Sequence, residues 1–152
     1  TPASSAWAGA YRADVVEPWL DLITAEGATV LRIGAPSVAD AELASFFSLI
    51  NGVFAEAAAD RPGEVTFLDP TPALGASGGA FAATVRLTDG ATVRLRQLDG
   101  LHLCPGGAQL LTEVLVDALA VAGGTDQVAP DWQDGPWRGD SVVYPADACP
   151  DQ

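Results

Sequence analysis

The sequence predicts an α/β fold built on a mainly parallel sheet. Three observations lead there. Apolar residues recur at helical spacing in two stretches before residue 60, each followed by a short strand-like run. Those runs, Ala28-Thr-Val-Leu-Arg-Ile33 and Val65-Thr-Phe-Leu68, are apolar and rich in β-branched residues, as buried strands are. Helix–strand–helix–strand order is the grammar of a parallel sheet with helices packed on it. The chain has 152 residues, 49% of them hydrophobic, enough for the core of one domain.

The first helix carries Val15, Val16, Trp19, Leu20 and Ile23 on one face. Pro18 lies inside this pattern, lacks an N–H, and predicts a kink or a restarted first turn. Gly27 closes the helix. After the first strand, Gly34 and Pro36 break the pattern, and Asp40 is placed to cap a second helix. The apolar face of that helix is Leu43, Phe46, Phe47, Ile50 and Phe54, and Arg61-Pro-Gly63 stops it. The second strand then leads to Asp69-Pro70.

Beyond this point the pattern changes. Phe81, Ala83, Val85 and Leu87 alternate with polar or small residues, as do Val93 and Leu95 after Thr88-Asp-Gly90. An Asp-Gly turn between alternating runs predicts a β-hairpin over residues 80–96, appended to the sheet. A loop from Asp99 leads to Pro105-Gly-Gly107, which opens a last helix with Leu110, Leu111, Val114, Leu115, Ala118 and Leu119 as its buried face. Gly123-Gly124 ends it. Residues 1–124 read as the α/β domain, and residues 125–152 as an irregular tail packed on it.

The formal net charge is −13. Such a surface repels nucleic acid and anionic membranes, so no nucleic-acid or membrane-surface partner is expected. The chain begins with neither a signal peptide nor an apolar span, contains no Met, and reads as a processed, engineered or truncated piece. One histidine and two cysteines are too few for a zinc site, and no metal or organic cofactor is expected. Cys104 and Cys149 are either two free thiols or one disulfide. A bridge would close a loop of about 45 residues, worth roughly 4 kcal/mol in the chain-entropy model. Cys149 sits in the tail Tyr144-Pro-Ala-Asp-Ala-Cys-Pro150, which needs a tether to stay ordered. That argues for the disulfide, and with it for an extracellular or extracytoplasmic location.

His102 is the single histidine and follows Asp99 by three residues, with Gly100 between them. A neutral imidazole takes a proton from a serine hydroxyl and returns it to a leaving group, while a carboxylate fixes its tautomer. An Asp-x-x-His turn supplies both side chains from one loop. Spacing alone equally describes a satisfied surface or core pair.

The context of this turn is more specific. Asp99-Gly-Leu-His-Leu103, the Pro105-Gly-Gly-Ala108 helix start and the apolar helix after it resemble the last conserved block of SGNH (GDSL-like) hydrolases. Thr29-Val-Leu-Arg-Ile-Gly-Ala-Pro36, the helix containing Asn51, and Val65-Thr-Phe-Leu-Asp69 fit the same superfamily. The tail residues Trp132, Gly135-Pro-Trp-Arg138, Tyr144 and Cys149-Pro-Asp151 resemble the SGNH domain of actinobacterial acyltransferase-3 proteins. The resemblance covers most of residues 6–151. It implies a three-layer α/β/α domain, here without its N-terminal strands, and a serine esterase or acyltransferase acting on acyl esters of extracellular glycans. It assigns His102 as the general acid/base and Asp99 as its orienter. The family's nucleophile and oxyanion blocks match no residue of this chain, so the chain alone is expected to be inactive.

Two short sequences imitate the nucleophile. Gly139-Asp-Ser141 follows Pro136-Trp-Arg138 in the tail rather than a buried strand. Gly75-Ala-Ser-Gly-Gly79 has the G-x-S-x-G letters around Ser77, but an elbow needs a strand before it and a helix after it, and an alternating strand follows here. Arg96 either pairs with Asp99, binds an anionic substrate group, or is a solvated hairpin arginine, the last being the expectation. Trp132 and Trp137 either line a sugar-binding surface or anchor the tail.

Two functions follow. One is the acid–base half of an esterase or acyltransferase, with an acylated carbohydrate or other ester as substrate and a membrane acyltransferase domain as a conceivable attachment. The other is a non-catalytic module that binds carbohydrate or a protein partner. A parallel sheet begun at its middle leaves a strand edge open, which predicts a partner segment, a partner chain or a homodimer.

Overall fold

The computed structural model describes residues 4–75, 79–121 and 147–150. It is mixed α/β and divides into two compact units, Thr1–Pro36 with Ala41–Asp69, and Ser37–Asp40 with Pro70–Gln152.

The first unit holds the parallel pair. Helix α1 (Ser5–Tyr11) is capped by the Ser4 hydroxyl, which accepts the Trp7 N–H. It runs into a π-helical turn, Arg12–Val16, and then α2 (Glu17–Thr24). Pro18 explains the irregularity. It cannot donate to the carbonyl four residues back, and the chain widens to a bond from the Glu17 N–H to the Arg12 carbonyl. The predicted break is therefore a π-turn within a continuous helical run. Gly27, at φ +82°, ends it.

Strand β1 (Val30–Ile33) pairs in parallel with β2 (Val65–Leu68), Val30 opposite Val65 and Ile33 opposite Leu68. The 19-residue helix α3 (Ala41–Ala59) starts directly after Asp40 and packs on β2. Val16, Leu20, Val53, Phe54, Ala57 and Val65 form the core. The buried face of α3 thus centres on its C-terminal half. Phe46 packs on Trp7 instead, with ring centroids 5.7 Å apart. Both strands are less buried than expected: β1 is half-buried throughout, and only Val65 of β2 is fully covered. Arg61 joins the start of α2 to the end of α3, donating to Glu17 at 2.7 Å and Asp21 at 2.6 Å, and Arg12 pairs with Glu17 at 2.8 Å and with Asp60.

In the second unit a short turn of helix, α4 (Thr71–Leu74), precedes the hairpin of β3 (Thr84–Arg86) and β4 (Thr92–Arg94). Gly90, at φ +89°, forms the expected Asp-Gly turn, and Asp89 Oδ1 accepts the Ala91 N–H. The hairpin forms a two-stranded sheet of its own instead of extending β1–β2. The last helix, α5 (Pro105–Val121), packs on α4 and β4. Its predicted apolar face is half-buried rather than buried, while Glu113 and Asp117 on the opposite side are exposed. Gly107 is its one buried residue, because the helix start lies against the Leu95 carbonyl where a Cβ has no room. Leu74, Leu95, Arg96 and Cys104 are fully enclosed in this unit.

Candidate functional site

The loop between β4 and α5 carries Asp99 and His102 on a tight turn. Asp99 makes the turn with its own carboxylate: Oδ1 accepts the N–H groups of Leu101 at 2.9 Å and His102 at 3.1 Å. This short Asx arrangement is why aspartate suits the position. Gly100 supplies the left-handed conformation at φ +70°. The loop is closed by Gly100 N–H to the Gln97 carbonyl at 3.0 Å, Gln97 N–H to the His102 carbonyl at 2.9 Å, and an antiparallel bridge between Arg96 and Leu103.

With Oδ1 engaged by the backbone, Oδ2 faces the imidazole. His102 Nδ1 lies 2.6 Å from it. An ionised carboxylate only accepts, so the neutral ring carries its proton on Nδ1 and leaves the Nε2 lone pair available. The Asp99 carboxyl is held down at about 2, first by the His102 ring and then by the backbone N–H groups, so it is ionised at neutral pH. The His102 side chain is 67% exposed. Among the described residues its one side-chain partner is Asp99. The structure therefore brings the sequence-predicted pair into direct side-chain contact. No described serine hydroxyl bonds to the ring.

Arg96 corrects an expectation. It is fully buried rather than solvated, and it does not pair with Asp99. Its Nη2 donates to the Ser37 carbonyl at 2.9 Å, and Nε and Nη1 have no hydrogen-bond partner among the described residues. Burial lowers its pKa. The hairpin alternation misled here because it does not register long-range packing: the side chain is buried and reaches Ser37, 59 residues earlier.

The disulfide pairs Cys104 with Cys149, so the free-thiol alternative falls away. Asn51 ties down the turn after β1: its Oδ1 accepts the Ala35 N–H at 2.8 Å and its Nδ2 donates to the Ala35 carbonyl at 2.7 Å. Ser77, Ser141, Trp132, Trp137 and Tyr144 lie outside the described residues. Among the described residues no group of three or more His, Cys, Asp or Glu side chains could hold a metal ion, and no helix is long and apolar enough to cross a membrane. Sequence reasoning missed Leu98 and Leu101, both exposed beside Asp99 and His102. Leucines in a loop between a strand and a helix carry no periodic signal that would mark them as outward-facing.

A family model described as "Protein of unknown function (DUF459)" matches residues 1–118. No curated protein matches the chain.

Proposed function

Given that the chain belongs to the DUF459 family, we propose that it carries the acid–base half of an SGNH-type serine esterase or acyltransferase, with His102 as general acid/base and Asp99 as its orienter. The observation that supports this reading is the 2.6 Å contact between His102 Nδ1 and Asp99 Oδ2 on a solvent-facing turn. The substrates are acyl esters, chiefly of extracellular glycans, and the disulfide fits an extracytoplasmic setting.

His102 Nε2 takes the proton of a serine hydroxyl as its oxygen bonds to the acyl carbon. The same nitrogen returns that proton to the leaving alcohol as the ester C–O bond breaks. Water or a second hydroxyl then attacks the acyl-serine, giving its proton to Nε2, and the serine oxygen regains a proton as it leaves. Asp99 stays ionised and stabilises the imidazolium. The serine is not among the described residues around the ring.

The test is labelling with a fluorophosphonate serine probe. The full-length protein is expected to label, and His102→Ala to slow labelling and acetyl-ester hydrolysis by about 10⁴-fold. Residues 1–152 alone are expected not to label. Unchanged labelling in His102→Ala, or no labelling of the full-length protein, would reject the reading. That outcome would favour a module that binds carbohydrate or a protein partner.

A further inference from the structure

The loop that carries Asp99 and His102 receives almost no positioning from side-chain packing. Leu98, Asp99, Leu101 and His102 are all exposed, and the fifth residue of the stretch, buried Gly100, has no side chain. Backbone contacts therefore fix the loop. On one side Ala39 N–H donates to the Gly100 carbonyl at 3.1 Å. At another point the segment Asp147–Pro150 forms a strap with three ties. The Ala148 carbonyl accepts the Leu98 N–H at 3.0 Å, Cys149 is bonded to Cys104, and the Pro150 carbonyl accepts Arg94 Nε–H at 2.9 Å. Leu98 directly precedes Asp99, and Cys104 follows His102 by two residues. Two of the ties thus bracket the pair.

These ties have unequal strength. Leu98 is 69% exposed, so a single hydrogen bond there competes with water and is weak on its own. The covalent tie holds the Ala148 carbonyl at the Leu98 N–H by keeping its local concentration high. Cys104 is fully enclosed at the base of α5, and its N–H is bonded to the Leu95 carbonyl, so that end of the tie is rigid. Cys149 is half-buried and is the sulfur a reductant reaches.

We propose that the Cys104–Cys149 bridge is a positioning device for the Asp99–His102 pair: its reduction releases the 147–150 strap and loosens the pair while the chain stays folded. A dithiol supplies the two electrons and two protons. Its thiolate attacks the Cys149 sulfur, Cys104 leaves as a thiolate and is protonated, and the mixed disulfide at Cys149 resolves to a cyclic disulfide of the reductant and a free thiol. The unit that carries the loop retains Leu74 and Leu95, both fully enclosed and neither part of the bridge. A role for the strap in catalysis rests on reading Asp99 and His102 as an acid–base pair, but its effect on their geometry does not.

The test is NMR of residues 1–152, oxidised and after dithiothreitol, with free thiols counted. The Cys104→Ser/Cys149→Ser double variant serves as a second route to the unbridged state. On reduction the Leu98 amide is expected to exchange with solvent at least about tenfold faster. The neutral His102 ring is expected to shift from the Nδ1–H form toward a mixture of tautomers, with the signals of Leu74 and Leu95, buried in the same unit, unchanged. Reoxidation should restore both readouts. Full reduction that leaves Leu98 exchange and the His102 tautomer unchanged would overturn the proposal. So would cooperative unfolding of the whole chain in both routes, because the bridge would then be a general stabiliser. A full-length protein without esterase activity would reject the functional reading and leave these readouts standing.

Discussion

Gly100 and Ala39 meet backbone to backbone: the Ala39 N–H donates to the Gly100 carbonyl at 3.1 Å, and a methyl group on Gly100 would collide with the Ala39 side chain. Gly100 also sits at φ +70°. Gly90, at φ +89°, has the same backbone demand in open space, where the nearest atom to an added Cβ is Arg86 Nη2 at 3.8 Å. Gly90→Ala is therefore expected to cost only the left-handed conformation, about 1 kcal/mol. Gly100→Ala adds a steric conflict and is expected to cost more than about 2 kcal/mol and to displace the loop. Urea unfolding of the two variants checks the order, and equal costs would show that Ala39 yields freely.

Asp99 makes stability pH-dependent in a definite window. Its carboxyl is lowered from 3.8 to about 2 in the folded chain. A depressed carboxyl contributes stability that is fully present above its unfolded pKa and is lost as pH falls through its folded pKa. The contribution is therefore expected to disappear between about pH 4 and pH 2. Asp99→Asn should flatten that part of the stability–pH curve relative to wild type. Parallel curves for the two proteins from pH 7 to pH 2 would show that the pair is not formed in solution.

Asn51 offers a test of polarity at constant size. It matches both the donor and the acceptor of Ala35, at 2.8 and 2.7 Å. Asn51→Ala leaves both groups without their partner and is expected to cost about 1–3 kcal/mol. Asn51→Asp keeps the acceptor for the Ala35 N–H but sets a carboxylate oxygen against the Ala35 carbonyl. It is expected to be at least as destabilising as the alanine, despite its better shape. Thermal unfolding of both variants decides this.

Local rules made the first unit legible. Pro18, Gly27, the β-branched runs and Arg61-Pro-Gly63 act within a few residues of themselves, and the helices and parallel strands follow from them. The hairpin turn and the Asp99–His102 contact were equally readable, because each is closed within a single loop. Depth of burial was not. The apolar face of α5 was read as core and is half-buried, and the Phe46 end of α3 turns to Trp7. Periodicity marks which face is apolar, but not how much of the molecule covers it. The strap at Ala148 and the contact between Ser37 and Arg96 join residues far apart in the chain, and no short-range pattern encodes them.

Arg96 is where that long-range packing has a measurable consequence. A guanidinium at 0% exposure, whose one hydrogen bond among the described residues goes to the Ser37 carbonyl and whose other two nitrogens lack partners there, is a costly buried charge. Replacing such a group with an apolar side chain of similar length is often neutral or stabilising. Arg96→Met is therefore expected to leave stability within about 1 kcal/mol of wild type or to raise it, since the loss is one donor to the Ser37 carbonyl. Arg96→Ala empties the same space and is expected to cost about 2–5 kcal/mol. The contrast separates charge from volume: the methionine keeps the packing around Leu95 and removes the cation, whereas the alanine removes both. A methionine variant destabilised by more than about 3 kcal/mol would mean that the guanidinium is matched by an anion in solution.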